Sequence, residues 1–128
     1  MANVGLVLIS HSSKVVEGIK EIIEQVAKEV TIATAGGTDE NEIGTSIEKI
    51  QHAIEKAQSD KGVLLIYDLG SAMMNSELAV EMSGQENIEI ANAPLLEGSY
   101  VAAVEAGMGK DLHEVKKAAE RALKEEEE

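Results

Sequence analysis

His11 follows the aliphatic run Val4–Ile9 and Ser10, and precedes Ser12 and Ser13. An imidazole nitrogen is a good nucleophile near neutral pH when it is unprotonated and the opposite nitrogen carries the proton. A carboxylate holding that proton fixes both tautomer and ring orientation, and Asp68, directly after a second aliphatic run, is the candidate for that task. The hydroxyls and glycines of Ser12, Ser13, Gly37, Thr38, Gly70 and Ser71 supply amides and O–H groups of the kind that hold phosphoryl oxygens. Every part needed for a phosphohistidine is present, and none of it calls for a metal or a cofactor.

Such residues act together only if the fold gathers them. The runs Val4–Ile9, Val30–Ala35, Val63–Tyr67 and Ile88–Ala91 are short and largely unalternating, as strands covered on both faces are. Helical stripes lie between them: Val15, Val16, Ile19, Ile22, Ile23 and Val26; Ile47, Ile50, Ile54 and Ala57; Met74, Leu78 and Met82. Thr45 with Glu48 and Asp111 with Glu114 read as capping boxes. A further helix is expected over Ser99–Ala106, before the break at Gly107–Gly109, and a last one over Asp111–Lys124. The order βαβαβαβαα predicts an α/β fold, three-layer α/β/α, with a mainly parallel four-stranded sheet and right-handed crossovers. With strand order 2-1-3-4 and room for an extra edge strand, His11 and Asp68 meet at the switch between strands one and three. Ligands bind at that place in open α/β sheets. In this arrangement the phosphoryl group lies over the amino end of the first helix, held by Ser12 and Ser13, with Gly37, Thr38, Gly70 or Ser71 closing the far side.

Taken singly, these signals are weak. A histidine ending a strand can simply cap or pack, Asp68-Leu69-Gly70-Ser71 can be only a capped turn, and Gly36-Gly37 is first of all a turn. Their convergence on one sheet edge favours chemistry. His52 and His113 read as solvated and lack the i, i+4 spacing of a metal site. Asp39, Glu40 and Glu42 read as a solvated loop, without calcium-loop spacing. Met73 and Met74 fit the core, and beside the site they also fit a partner-binding rim with Leu69.

Composition narrows the classes. The 128 residues make one domain, 1–124, with an acidic tail at 125–128. Absence of cysteine removes disulfides and thiolate metal sites. A formal net charge of −13 argues against nucleic acid and anionic membranes. With no secretion signal or bilayer-spanning segment in view, a cytoplasmic protein is the expectation.

At four segments the chain resembles a known family. Ile9-Ser10-His11-Ser12-Ser13, Ala35-Gly36-Gly37-Thr38-Asp39 with Ile43-Gly44-Thr45, Asp68-Leu69-Gly70-Ser71-Ala72, and Ala93-Pro94-Leu95-Leu96-Glu97-Gly98 are similar to the phosphotransferase subunit, DhaM type, of phosphoenolpyruvate-dependent dihydroxyacetone kinase. That subunit is a relative of mannose-type enzyme IIA domains. The resemblance implies that His11 takes a phosphoryl group from phospho-HPr and passes it to ADP bound on the kinase subunit DhaL, which works with DhaK. It also implies that Asp68 is the acidic neighbour of the active histidine. Without the HPr-like and enzyme I-like domains of some relatives, dependence on separate donors is expected. Mannose-type relatives dimerise through a swapped strand; no fifth strand is evident after Ala91, so a homodimer is expected with its geometry left open.

Three other readings stand beside this one. One is a mannose-type sugar-transport enzyme IIA. A second is a tetrapyrrole metal chelatase, although Ser12 replaces the glycine of its His-Gly-Ser start. The third is a non-catalytic interaction module.

Overall fold

Strand β1, Gly5–Ser10, is buried at every position. A backbone can be so only at the centre of a sheet whose two faces are both covered. The computed structural model describes residues 3 to 127, with side chains through residue 122. The side chains of Leu123 and of the expected acidic tail at 125–128 lie outside the described residues.

Along the chain follow α1 (Ser13–Glu24), β2 (Ile32–Gly36), α2 (Ile47–Lys56), β3 (Val63–Tyr67), α3 (Ser71–Ser83), β4 (Ile88–Ala91), α4 (Leu95–Gly107) and α5 (Leu112–Glu127). The described sheet has four strands in the order β2-β1-β3-β4, all parallel. Successive β1 side chains take opposite faces. Leu6 and Leu8 join α1, α4 and α5 in one apolar layer, while Val7 and Ile9 join α2 and α3 in the other. Each fully buried Leu or Ile contributes roughly 1.5–3 kcal/mol relative to exposure, which fixes the register of β1 against its neighbours. No helix among the described residues is long and apolar enough to cross a membrane.

Several expectations need correction. The stripe Met74, Leu78 and Met82 is exposed, Met74 at 70% and Met82 at 63%. Helix α3 instead buries Ala72, Ser76 and Ala79, small residues that let it lie close to the sheet. The period was legible, but an apolar stripe does not say which way it faces. Met73, read as core, is also exposed. In α1 only Val16, Ile19 and Ile23 are buried. Helix α4 begins at Leu95 rather than Ser99, because Pro94 supplies an extended N-cap and its carbonyl accepts from the Gly98 amide at 2.7 Å. The α2 cap is Ser46 rather than Thr45: its Oγ accepts from Lys49 N at 3.1 Å, and Thr45 Oγ1 accepts from Asn75 instead. The Asp111–Glu114 box is present in both directions.

One close approach positions the site. Gly36 ends β2 where α1 begins, and a Cβ there would sit 2.6 Å from Ser13 Cα and 2.8 Å from Ser12 O. Backbone cannot yield as a flexible side chain does. Gly36→Ala is therefore expected to destabilise the protein by about 1–3 kcal/mol, measured by urea unfolding; an unchanged midpoint would show that α1 can move away freely.

Candidate functional site

The register pairing Ile9 with Tyr67 brings β1 and β3 to an end side by side. The next residues therefore meet: Asp68 N donates to Ile9 O at 3.1 Å, and the Asp68 carboxylate turns back toward Ser10 and His11. Its Oδ2 accepts from Ser10 Oγ at 2.8 Å and from His11 N at 3.0 Å. Its Oδ1 accepts from Leu69 N at 2.7 Å and lies 3.0 Å from His11 Nδ1. An ionised carboxylate only accepts, so Nδ1 carries the proton and Nε2 presents a lone pair. That lone pair lies 2.8 Å from Ser71 Oγ, which is then the donor. The imidazole remains partly accessible, with its side chain 21% exposed.

Partial burial raises the pKa of Asp68. The His11 amide, the Ser10 hydroxyl, the His11 ring and the Leu69 amide outweigh it together, and the carboxyl ends below its ordinary value. The charged form is the one the surroundings select.

Neighbouring loops hold the remaining residues. Ser12 N donates to Ser10 Oγ at 3.0 Å, and Ser12 is the N-cap of α1 without a side-chain bond to that helix. Ser13 opens α1 and is partly exposed. Gly37, at φ +77°, donates its amide to Ser10 O at 3.1 Å, and Thr38 donates its amide to Glu42 O at 2.9 Å. Both amides are committed to shaping the loop after β2, and the Thr38 hydroxyl oxygen accepts from Glu42 N. That loop delivers Gly44, whose amide donates to His11 O at 2.9 Å. On the other side, the amides of Gly70 and Ser71 have no acceptor among the described residues. They open α3, where free N–H groups favour an anion. The free ring nitrogen thus faces Ser71, the first residue of α3.

Leu69 and Met74 stand exposed near this edge at 57% and 70%, with Met73 and Ile43 also exposed. His52 and His113 are exposed and belong to α2 and α5. Sequence reasoning placed Ser10 and Gly44 within the resembling segments but gave neither a role. A hydroxyl directly after an aliphatic run was the available signal for Ser10, which the structure buries fully; the partner of Gly44 is set by the loop's path.

Comparison with known proteins gives a consistent set. Residues 5–116 match the family described as PTS system fructose IIA component, EIIA-man. The chain is 39% identical over 119 residues to the phosphotransferase subunit DhaM of the PTS-dependent dihydroxyacetone kinase of Lactococcus lactis subsp. lactis, covering 93% of this chain and 95% of that one. It is 47% identical over 104 residues to the phosphoryl donor subunit DhaM of PEP-dependent dihydroxyacetone kinase 1 of Listeria innocua serovar 6a, covering 81% and 82%. A crystal structure of the protein EF1359, described as of unknown function, superposes with a TM-score of 0.84 at 38% identity, over 94% of this chain and 95% of that one.

The lowered pKa of Asp68 gives a stability test with a definite sign. Its contribution is full above the unfolded-state pKa of about 4 and is lost as pH falls through the lower folded-state value. In urea unfolding, the gap between wild type and Asp68→Asn is expected to be complete at pH 7 and to shrink below about pH 4. A gap that stays constant down to about pH 2.5 would mean the carboxylate is not held as described.

Proposed function

This chain belongs to the family of PTS system fructose IIA components, as a DhaM-type subunit of phosphoenolpyruvate-dependent dihydroxyacetone kinase, and on that premise we propose that it carries a phosphoryl group on His11. The observation that carries the reading is the state of the ring: Nδ1 is held by Asp68 at 3.0 Å, and among the described residues Nε2 meets only a hydroxyl, at 2.8 Å. Nε2 is then the nucleophile.

In the forward step the Nε2 lone pair bonds to the phosphorus of a phosphohistidine on the donor, HPr. The donor's P–N bond breaks and its electron pair returns to the donor imidazole. The ring that gains PO₃ keeps its Nδ1 proton and becomes cationic, and Asp68 beside it balances that charge. Ser71 then turns its O–H from Nε2 to a phosphoryl oxygen. The amides of Gly70 and Ser71 face the same group, and the hydroxyls of Ser12 and Ser13 complete the surroundings. Gly37 and Thr38 act by holding the loop that brings Gly44 to the His11 carbonyl. In the second step a terminal phosphate oxygen of ADP on DhaL, the subunit paired with DhaK, attacks the phosphorus, and the P–N electrons return to Nε2.

Donor and acceptor must both dock at this edge of a chain with net charge −13. Long-range repulsion of an acidic partner is screened beyond about 8–10 Å at ordinary ionic strength, so short-range contact decides. The exposed apolar side chains of Leu69, Met73 and Met74 supply it at the rim. The domain works as a cytoplasmic homodimer in this reading.

Incubation with phosphoenolpyruvate, enzyme I and HPr is expected to place an acid-labile, base-stable phosphate on His11. His11→Ala is expected to remove the label while leaving the circular dichroism unchanged; labelling that survives in this variant refutes the assignment. Leu69→Asp is expected to slow transfer by about tenfold, the loss of one good apolar contact, with unfolding unaffected. Wild-type transfer in Leu69→Asp would move the docking surface elsewhere.

A further inference from the structure

Ser10 has no assigned part in this chemistry, yet it is fully buried beside it. A hydroxyl has one proton and two lone pairs. Here the proton goes to Asp68 Oδ2 at 2.8 Å and a lone pair takes the Ser12 amide at 3.0 Å. The direction of the first bond is forced, because the carboxylate cannot donate. The second bond fixes the oxygen from behind, so the O–H can aim only one way.

The carboxylate needs such an anchor. Three of its four donors come from His11 and Leu69, which flank the site in the chain and move with the turns that carry the ring and the carboxylate. Ser10 is the last residue of β1, paired with Gly36 of β2 in the centre of the sheet. Among the described residues it is the one donor to the Asp68 side chain that lies within a strand of the sheet. We propose that Ser10 is a positioning residue for phosphoryl transfer: through its hydroxyl it holds the Asp68 carboxylate at the angle that keeps the proton on His11 Nδ1 and Nε2 free. This goes one step deeper than the carrier reading and rests on it for the rate effect, while the effect on the ring stands without it.

The competing role is purely structural. An Oγ that accepts an amide two residues on is a common local turn, and Ser10 could do no more than start α1. The two roles separate in a double-mutant cycle. If Ser10 acts through Asp68, Ser10→Ala slows HPr-dependent phosphorylation of His11 by roughly 10- to 100-fold, the scale of losing an outer partner that orients a metal-binding histidine. In the Asp68→Asn background the same change then alters the rate by less than about twofold. A structural staple slows transfer equally in both backgrounds.

A second measurement needs no phosphoryl donor. ¹⁵N NMR of the His11 ring is expected to show the Nδ1–H tautomer in the wild type and a shift toward Nε2–H in Ser10→Ala, with thermal unfolding confirming a folded protein. Should Ser10→Ala not fold, Ser10→Cys keeps nearly the same shape with a weaker donor and is expected to show the same tautomer shift to a smaller degree. A wild-type tautomer in the folded variant, or equal slowing in both backgrounds, overturns the proposal. A wild-type protein that takes up no phosphate speaks against the carrier reading instead, and the tautomer result is then read by itself.

Discussion

Parallel strands in register end side by side, and that constraint builds the site. His11 and Asp68 are 57 residues apart in the chain, and no local preference brings them together. They meet because Ile9 faces Tyr67 across the β1–β3 ladder, so that each chain leaves the sheet at the same level. β1 is flanked on its other side by β2, whose loop reaches back to the carbonyls of Ser10 and His11 through Gly37 and Gly44. The turn carrying the imidazole is thus held from both neighbours. A one-residue slip of β1 would exchange the residues of its two core faces, so the apolar layers that stabilise the fold also align the imidazole with its carboxylate.

Electrostatics at this edge depend on dipoles more than on ions. The protein has an excess of carboxylates, and its net field disfavours one more negative charge. Asp68 is nevertheless held in its charged form, because two amides, a hydroxyl and an imidazole N–H all point at its two oxygens. A partly buried charge persists where such donors replace the lost water. Among the described residues Asp68 forms its ion pair with His11, and the four donors hold its two oxygens in place. Positive charge developing on the ring is therefore answered at one defined place.

Much of this was legible in the sequence. Unalternating aliphatic runs separated by helical stripes gave the element order; the strand order 2-1-3-4 was inferred beyond what the runs display, and under that order His11 and Asp68 meet at the switch point. What was not legible has a common physical cause. A stripe such as Met74, Leu78 and Met82 reveals a period but not a direction, and small residues such as Ala72 and Ala79 carry little signal although they face the sheet. The amide commitments of Gly37 and Thr38 depend on a loop path no short motif encodes. Ser10 was hidden because a serine among aliphatic residues reads as a strand end, and its bonding needs Asp68 in place before it can be seen.

The packing of α3 ties two features of the site to one cause. Interaxial and helix–sheet distances follow the size of the side chains at the contact. With Ala72, Ser76 and Ala79 inward, α3 lies close enough for its first residue, Ser71, to reach His11 Nε2. Those same small residues occupy the face that larger apolar side chains would otherwise fill, so Met73, Met74, Leu78 and Met82 are left exposed. A helix that buried its methionines would stand farther from the sheet and carry the Ser71 hydroxyl away from the ring. The small inward residues of α3 thus accompany both the reach of Ser71 to the ring and the apolar rim beside it.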